Sequence, residues 1–463
     1  MKLTLSLALA SVVGADASIG RPATPWVPCN ASAGICFSEN LGSHMVLQQA
    51  PAKACVFGML GSGGHGASVK LSSSSPAAAD LEVAAEVTAG GQWKACLTPQ
   101  KVGGDFTITA TCTGCTGAAA TASIEHVTFG DVYYCGGQSN MALPLLHSYS
   151  RNETRDAVLA GKYQDLRIHG LAGNMNCDQP WSTLKQALVQ RSCKNSKDCK
   201  TGADSDSSSL MGFSASCFYF GQELIETLGA AAPPIGLVHT AWGGSTIEQW
   251  LTNETSATCE WVGLDASNQQ FHDTRVLPYV DMTLKGFLWY QGENNCRSVM
   301  GNSAAKAGYS CEMQALVDQW RQLWSATAGT TDPSAPFGIV TLASSGSEGA
   351  SSLAMGAMRQ AQTAGFGVLP PPASNQHSNG MANTFLAQAY DLDDEWSGDR
   401  GPCVATGWNQ SSPEHACCDN QGANTNLSTC PPAWQAKCAN MCAANAGTSQ
   451  YMGSIHPVSH FRP

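Results

Sequence analysis

The chain is 463 residues long, which is enough to bury a full core and to form about three domains. Asp, Glu, Lys and Arg make up only 13% of it, and the net charge is −11 with 24 Lys and Arg in total. Because these basic residues form no cluster, the sequence argues against nucleic acid as a partner. The hydrophobic content of 43% is typical of a globular protein.

The first 17 residues have the pattern of a secretory signal peptide. Lys2 supplies the positive end, Leu3–Val13 the apolar stretch, and Ala15-Asp16-Ala17 the small residues at positions −3 and −1 of a cleavage site. The apolar stretch is shorter than the roughly 20 residues that a membrane-spanning helix needs, so we predict no membrane anchor. We expect the mature chain to begin near Ser18 and to be secreted or lumenal, for example extracellular or lysosomal.

Cysteines and glycosylation motifs agree with that compartment. The chain has 20 cysteines, which in a secreted protein indicate disulfides. Cys112 and Cys115 form a C-x-x-C pair without a second pair at zinc-ribbon spacing, so we predict a disulfide there and not a metal site. Five N-x-S/T motifs predict a glycoprotein, at Asn30, Asn152, Asn253, Asn409 and Asn426.

Residues from about 35 to 125 are predicted to form β structure. Short apolar runs such as Met45–Leu47, Cys55–Phe57 and Phe106–Thr109 are separated by clusters of Gly, Ser and Pro. Short strands with this spacing are typical of a sandwich. We therefore predict a small β-sandwich-like domain over residues 18–125.

From residue 126 onward, apolar runs alternate with helical stretches, and the runs end in turns of glycine or polar residues. Strands that alternate with helices are typical of a parallel sheet with right-handed crossovers. We predict an α/β, three-layer domain over residues 126–463, with helices on both faces of the sheet. The predicted strands are Val127–Tyr134, Pro234–His239, Leu284–Tyr290 and Pro336–Leu342, and the predicted helices are Ser216–Leu228 and Cys311–Trp324.

Two segments interrupt this alternation. Residues 192–210 are polar and rich in serine, and residues 395–453 hold six cysteines with little periodic apolar signal. We interpret both as surface insertions, the second stabilised by its own disulfides. A small separate binding module is the alternative interpretation of the second segment.

Ser139 follows the first predicted strand of the α/β region, in the sequence Gly136-Gly-Gln-Ser-Asn140. A serine in a glycine-rich turn at a strand end is accessible, and its own N–H can face a bound carbonyl, as nucleophilic catalysis requires. Taken alone, the motif also fits an ordinary turn. The G-x-S-x-G pattern of α/β-hydrolases is missing here, which argues against that fold.

Three further segments supply the other parts of an acyl-transfer site. The glycines of Ala241-Trp-Gly-Gly-Ser245 can offer backbone N–H groups, and Trp289–Asn295 carries amide side chains that can donate to an oxyanion. His456, in Ser454-Ile-His-Pro457, can act as the base. Each segment alone has an ordinary structural explanation, but together they indicate acyl transfer at the carboxyl ends of neighbouring strands.

These segments resemble the animal-type sialate O-acetylesterases of the SGNH (GDSL-like) hydrolase superfamily. The resemblance covers most of residues 37–456 apart from the two insertions, and the blocks GQSNM, WGGSTIEQW and WYQGE carry most of its specificity. The matching segments, in chain order, are FSENLGSHMVLQQAPAKACVFG, GDVYYCGGQSNMALPL, GFSASCFYFGQELIETLG, PPIGLVHTAWGGSTIEQW, LWYQGENN, AMRQAQTAGFG, MANTFLAQAYDLDDE and GSIHP.

The resemblance implies that Ser139 is the nucleophile and His456 the general base. It also implies an oxyanion hole with three donors. These are the N–H of Ser139, a backbone N–H of Gly243 or Gly244, and the side chain of Gln291, with Asn294 and Asn295 as alternatives to Gln291. The substrate-binding candidates are Arg359, Arg297, Asn140 and Glu293.

The last block departs from the wider superfamily in two respects. Many SGNH enzymes carry an Asp two or three residues before the histidine, where this chain has Ser454 and Gly453. The catalytic unit is therefore a Ser-His dyad, or the imidazole is oriented by a backbone carbonyl or by a carboxylate from Asp391, Asp393 or Asp394. The chain also ends at Pro463, where the family continues, so we expect a shortened C-terminus.

Together with the predicted signal peptide, the resemblance implies a secreted serine esterase that acts on 9-O-acetyl and 4-O-acetyl sialic acids. The alternatives are an acetylxylan or other polysaccharide acetylesterase and a catalytically inactive carbohydrate-binding relative. The mechanism calls for no metal ion or organic cofactor, and Asp391–Glu395 lacks the glycine and the spacing of a calcium loop. The sequence makes no prediction of the oligomeric state.

Overall fold

A computed structural model describes residues 34–73, 81–116, 120–148, 150–171, 179–190, 208–261, 268–296, 298–301, 303, 305–342, 352–365 and 381–389. The predicted signal peptide, most of the first insertion and the whole second insertion lie outside this range. The same holds for five site candidates, which are His456, Arg297, Asp391, Asp393 and Asp394.

The described residues form fifteen strands and seven α-helices. The strands are β1 Ile35–Phe37, β2 Val46–Gln48, β3 Cys55–Leu60, β4 Gly66–Ser73, β5 Leu81–Ala84, β6 Glu86–Val87, β7 Gln92–Cys96, β8 Gly103–Thr113, β9 Thr121–Gly137, β10 Leu166–Gly170, β11 Gln179–Thr183, β12 Ile235–His239, β13 Gly286–Tyr290, β14 Phe337–Thr341 and β15 Thr384–Gln388. The helices are α1 Ser139–Ala142, α2 Arg151–Leu159, α3 Leu184–Val189, α4 Ala215–Leu228, α5 Asn253–Ser256, α6 Gly308–Trp324 and α7 Ser352–Gln362.

The main sheet has the strand order β11-β10-β12-β9-β13-β14-β15. All of its neighbouring strands are parallel except β10 and β11, which are antiparallel. The predicted α/β fold with a mainly parallel sheet is thus confirmed. Because β9 lies between β12 and β13, the carboxyl ends of these three strands meet at one edge of the sheet.

Helices cover both faces of this sheet. Successive side chains of a strand point to opposite faces, and β9 shows this directly. Tyr133 packs against Phe220 of α4, with ring centroids 4.9 Å apart, whereas Tyr134 packs against Trp320 and Trp324 of α6 at 5.2 and 5.1 Å. These three aromatic contacts fix the central strand between α4 and α6.

Four of the strands before residue 121, which are β2, β4, β5 and β8, are joined to the main sheet through one long strand, β9. β1, β3, β7 and β6 form a separate antiparallel sheet, while β4 and β5 pair through β8 with the first half of β9. The second half of β9 is the centre of the parallel sheet. The predicted domain boundary at residue 125 therefore lies inside one continuous strand.

Four disulfides join described cysteines. Cys112 and Cys115 are bonded to each other, as the sequence predicted, and Cys55–Cys96 links β3 to β7. Cys135–Cys217 ties β9 to α4 directly before the serine turn, and Cys259–Cys311 ties the chain after α5 to α6. Within the described part of the chain, no helix has the length and apolar character of a membrane span.

Candidate active site

Ser139 lies at the carboxyl end of the central strand. β9 ends at Gly137, and Ser139 is the first residue of α1. The residue is 7% exposed, and among the described residues none exchanges a hydrogen bond with its hydroxyl. The hydroxyl group of Ser139 is therefore available to a base and to a substrate.

Two glycines allow β9 to end in this position. Gly137 has a φ of +138°, and a Cβ atom there would lie 2.2 Å from the carbonyl oxygen of Tyr290. A Cβ atom on Gly136 would lie 2.6 Å from Cη2 of Trp320. The glycine-rich turn is thus required by the close approach of β13 and α6, and it determines where Ser139 stands.

The side chain of Gln138 joins the serine turn to the loop after β13. Its Oε1 accepts hydrogen bonds from Gln291 Nε2 at 3.0 Å, from Gly292 N at 3.2 Å and from Asn294 N at 3.3 Å. Sequence reasoning missed this residue. The available signal was an amide side chain directly before the serine, at the end of a strand predicted to be buried.

The turn after β12 approaches Ser139 from the other side. Trp242 N donates to Gly137 O at 2.9 Å, and Asn294 Nδ2 donates to Gly244 O at 2.6 Å. Gly244 is exposed and has a φ of +80°, and no described residue accepts a hydrogen bond from its N–H. Its neighbour Gly243 is buried. The carbonyl of Gly244 is therefore held in place, and its N–H has no acceptor among the described residues, so this N–H can serve as an oxyanion donor.

Gln291 is fully buried beneath these turns. Its Nε2 donates to Gln138 Oε1 and to Ser245 O, both at 3.0 Å, and to Asn295 Oδ1 at 2.7 Å. An amide nitrogen carries two hydrogens, so both are engaged in this arrangement. The role of Gln291 as an oxyanion donor remains a prediction, because it requires one of these bonds to be exchanged for the substrate.

Asn140 and Glu293, two of the substrate-binding candidates, contact each other. Asn140 Nδ2 donates to Glu293 Oε1 in a short hydrogen bond, and the two residues are 2% and 4% exposed. The pair joins the first turn of α1 to the loop after β13. Arg359 lies one strand further along the sheet edge, where its Nη1 donates to the carbonyl oxygen of Leu342, directly after β14.

The fold brings together four of the predicted parts of the active site. The serine, the turn at Gly243 and Gly244, the loop at Gln291 and the Asn140–Glu293 pair all lie at the carboxyl ends of β9, β12 and β13. A serine at a helix start, beside the open N–H of Gly244 and an amide-rich loop, suits acyl transfer. Among the described residues, no group of His, Cys, Asp and Glu could hold a metal ion.

A family model described as carbohydrate esterase, sialic acid-specific acetylesterase, matches residues 129–370. This range contains every site residue described above. The chain belongs to the sialic acid-specific acetylesterase family. Members of this family are carbohydrate esterases, so the predicted carboxylic ester hydrolase activity and the predicted resemblance are both confirmed.

Two relatives and one solved structure show how far the similarity extends. The chain is 31% identical to human sialate O-acetylesterase over 385 residues, which are 81% of this chain and 68% of that protein. It is 29% identical to the Rattus norvegicus sialate O-acetylesterase over 407 residues, covering 79% of the chain and 69% of that protein. A carbohydrate acetylesterase from Xanthomonas citri superposes with a TM-score of 0.55 at 22% identity, covering 78% and 69% of the two chains, and this likeness supports the fold alone.

Replacing Gln291 of this acetylesterase by alanine should lower kcat by roughly 10²–10³-fold. The change removes the bonds that hold the serine turn and the turn after β12 against the loop after β13. The measurement is steady-state hydrolysis of p-nitrophenyl acetate, with the melting temperature recorded in parallel.

Gln362→Ala is the matched control for this variant. Gln362 is fully buried and its Nε2 donates to Gln291 O at 2.9 Å, but it contacts neither the serine turn nor the turn after β12 through its described hydrogen bonds. We expect it to lower the melting temperature while kcat falls less than about tenfold. Equal kcat for Gln291→Ala and wild type, with a lower melting temperature, would show that Gln291 only supports the loop.

A buried acid near the site makes stability depend on pH. Burial, and then the neighbouring carboxylate of Glu248, raise the pKa of Glu312 from 4.5 to about 9. The folded protein holds this proton more tightly than the unfolded chain, so the side chain lowers stability progressively as the pH rises from 4.5 towards 9. Glu312→Gln should therefore raise the free energy of unfolding at pH 8 by about 1–3 kcal/mol.

The check is urea denaturation of both proteins between pH 5 and pH 9. The difference should shrink towards pH 5, because the stability lost by holding Glu312 protonated in the folded state disappears as the pH approaches 4.5, the pKa of the unfolded chain. Ser256 Oγ, which donates to Glu312 Oε1 at 3.2 Å, can keep its acceptor in the variant. A difference in stability that is independent of pH would contradict the assignment.

Proposed function

We propose that the protein is a serine esterase that removes O-acetyl groups from sialic acids, with the 9-O-acetyl and 4-O-acetyl esters as substrates. The observation that supports this most is the position of Ser139. It stands at the start of α1 between an open glycine turn and an amide-rich loop, in a chain of the sialic acid-specific acetylesterase family.

In the proposed mechanism, Ser139 Oγ attacks the acetyl carbonyl while His456 takes its proton. The N–H groups of Ser139 and of Gly244 or Gly243, with Gln291 or Asn294, stabilise the tetrahedral oxyanion. The protonated histidine gives its proton to the leaving sugar oxygen, which departs as a hydroxyl group, and water then attacks the acyl-enzyme and releases acetate. This route uses no metal ion or organic cofactor.

The choice of His456 as base draws support from the histidines next to the site. His239 ends β12 and is 1% exposed, and burial lowers its pKa to about 3. His169, on β10, is also buried, with its pKa lowered to about 4. A general base works best with a pKa near the working pH, which neither of these histidines has. The candidates for a carboxylate that orients His456 are Asp391, Asp393 and Asp394.

Acetate release from three esters tests this function. The wild-type protein should hydrolyse 9-O-acetyl sialic acid and p-nitrophenyl acetate faster than acetylated xylan. A preference for acetylated xylan would identify a polysaccharide acetylesterase. No release from any of the three would identify a carbohydrate-binding relative without catalytic activity.

We predict that Arg359→Ala raises KM for O-acetyl sialate by roughly 10- to 100-fold, because a guanidinium pairs well with the carboxylate of sialic acid. KM for the uncharged p-nitrophenyl acetate should change little. Arg359→Lys is the matched control, since it keeps the charge but loses the bidentate geometry, and its KM should fall between those of wild type and Arg359→Ala. An equal rise in KM for both esters would make Arg359 a structural residue and leave Arg297 as the candidate for binding the carboxylate.

We further propose that residues 1–17 are a signal peptide and that the mature glycoprotein is secreted or lumenal. The strands before residue 125 are proposed to form a small β-sandwich-like domain in front of the esterase domain, which carries insertions at residues 192–210 and 395–453. Expression in a eukaryotic secretory host followed by N-terminal sequencing tests the first proposal, with Ser18 as the expected first residue.

A further inference from the structure

A chain of buried amides runs from Gln138 to a carboxylate that the mechanism does not use. Gln291 Nε2 donates to Asn295 Oδ1 at 2.7 Å, and Asn295 Nδ2 donates to Glu248 Oε2 at 2.9 Å. Ile247 N also donates to Asn295 Oδ1, at 3.0 Å. Asn295 is fully buried and Glu248 is 2% exposed. The chain connects the loops after β9, β12 and β13.

We propose that Glu248 is a positioning residue, which acts through Asn295 and Gln291 to hold the turn at residues 243–245 and the serine turn in the geometry that stabilises the oxyanion. The inference rests on the proposed serine-esterase mechanism and adds a residue to it.

The argument depends on the direction of the hydrogen bonds. A carboxylate can only accept, so Asn295 must turn its NH₂ group towards Glu248 and its Oδ1 away from it. That Oδ1 faces Gln291, which must then present its own NH₂ group, and Gln291 Oε1 is left to accept from Tyr309 Oη at 2.8 Å. An ionised Glu248 thus sets the orientation of both amides.

The stability cost of Glu248 supports a functional role. Its Oε1 is buried and has no hydrogen-bond partner among the described residues. A buried carboxylate with one oxygen unsatisfied destabilises the folded state. Glu312 lies near enough for the Glu248 charge to raise its pKa, so this part of the core holds two carboxyl groups where an apolar pair would be more stable.

A donor–acceptor exchange tests the proposal. Asn295→Asp keeps the acceptor for Gln291 and Ile247 but places a second carboxylate against Glu248, and we expect kcat to fall by about 100-fold with KM little changed. Glu248→Gln alone should lower kcat by about 3- to 10-fold, because its amide can still accept but no longer fixes the direction of the bonds. In the double variant the new amide donates to the new carboxylate, and kcat should return to within about fivefold of wild type.

The control is Glu312→Gln, which removes the other buried carboxyl without altering the amide chain, and its kcat should stay within about twofold of wild type. The rate at which Ser139 reacts with a fluorophosphonate probe serves as a second readout that needs no knowledge of the sugar. A double variant as slow as Asn295→Asp alone would overturn the proposal. So would kcat and labelling rates that equal those of wild type in both single variants while their melting temperatures fall.

The two proposals fail in distinguishable ways. A wild-type protein that reacts with the probe but releases no acetate from sialic acid esters rejects the proposed substrate, and the labelling rates still decide the role of Glu248. If Asn295→Asp does not fold, the labelling rate of Glu248→Gln decides instead, and a rate equal to wild type would overturn the proposal.

Discussion

Replacing Ser139 by alanine is expected to abolish esterase turnover, with kcat lowered by about 10⁶-fold. The hydroxyl of Ser139 has no hydrogen bond to any described residue, so its removal leaves no buried partner unsatisfied. The melting temperature should therefore stay within the error of the measurement. Acetate release from O-acetyl sialic acid and p-nitrophenol release from the model ester are both measured.

Ser216→Ala is a suitable control for this variant. Ser216 lies close by in α4 and its Oγ donates to the carbonyl oxygen of Asn140 at 3.0 Å, but it has no place in the proposed mechanism. We expect its kcat to stay within about tenfold of wild type. A Ser139→Ala protein with more than about a tenth of wild-type activity would exclude Ser139 as the nucleophile.

Replacing Gly137 by alanine should destabilise the protein by about 3 kcal/mol or more and remove activity with it. The backbone there has a φ of +138°, which disfavours any side chain, and the new Cβ would lie 2.2 Å from the carbonyl oxygen of Tyr290. Because the obstacle is the backbone of β13, relief requires separation of two paired strands. Urea denaturation measures the loss.

The variant Gly229→Ala separates the two causes of the lost stability, which are the backbone conformation and the close approach to β13. Gly229 also has a positive φ, +55°, at the end of α4, but a Cβ atom there would meet nothing within 4 Å. It should therefore lose less stability than Gly137→Ala, about 1–2 kcal/mol, because its φ of +55° and ψ of −128° disfavour a side chain without any steric contact. Similar losses in the two variants would show that the close approach to β13 adds nothing.

Local patterns in the sequence predicted the centre of the fold. The runs that became β12, β13, β14 and the second half of β9 are mainly apolar, because strands in the middle of a parallel sheet are buried on both faces. The helices α4 and α6 were predicted to within about three residues, the usual accuracy for element ends. Strands nearer the sheet edges were missed. β10, with the sequence LRIHG, and β11 carry polar residues in short segments that have no clear period.

The sequence by itself determined the family, the serine turn and the position of the polar loops at strand ends, because each depends on residues close together in the chain. Only the tertiary structure decided what the amides of those loops do. Gln291 and Gln138 are 153 positions apart, and Asn295 and Glu248 are 47 apart. No local pattern shows which amide hydrogens are engaged. Parallel pairing of β9 with β12 and β13 brings the three loops together, and burial then forces each amide to find a partner among the others.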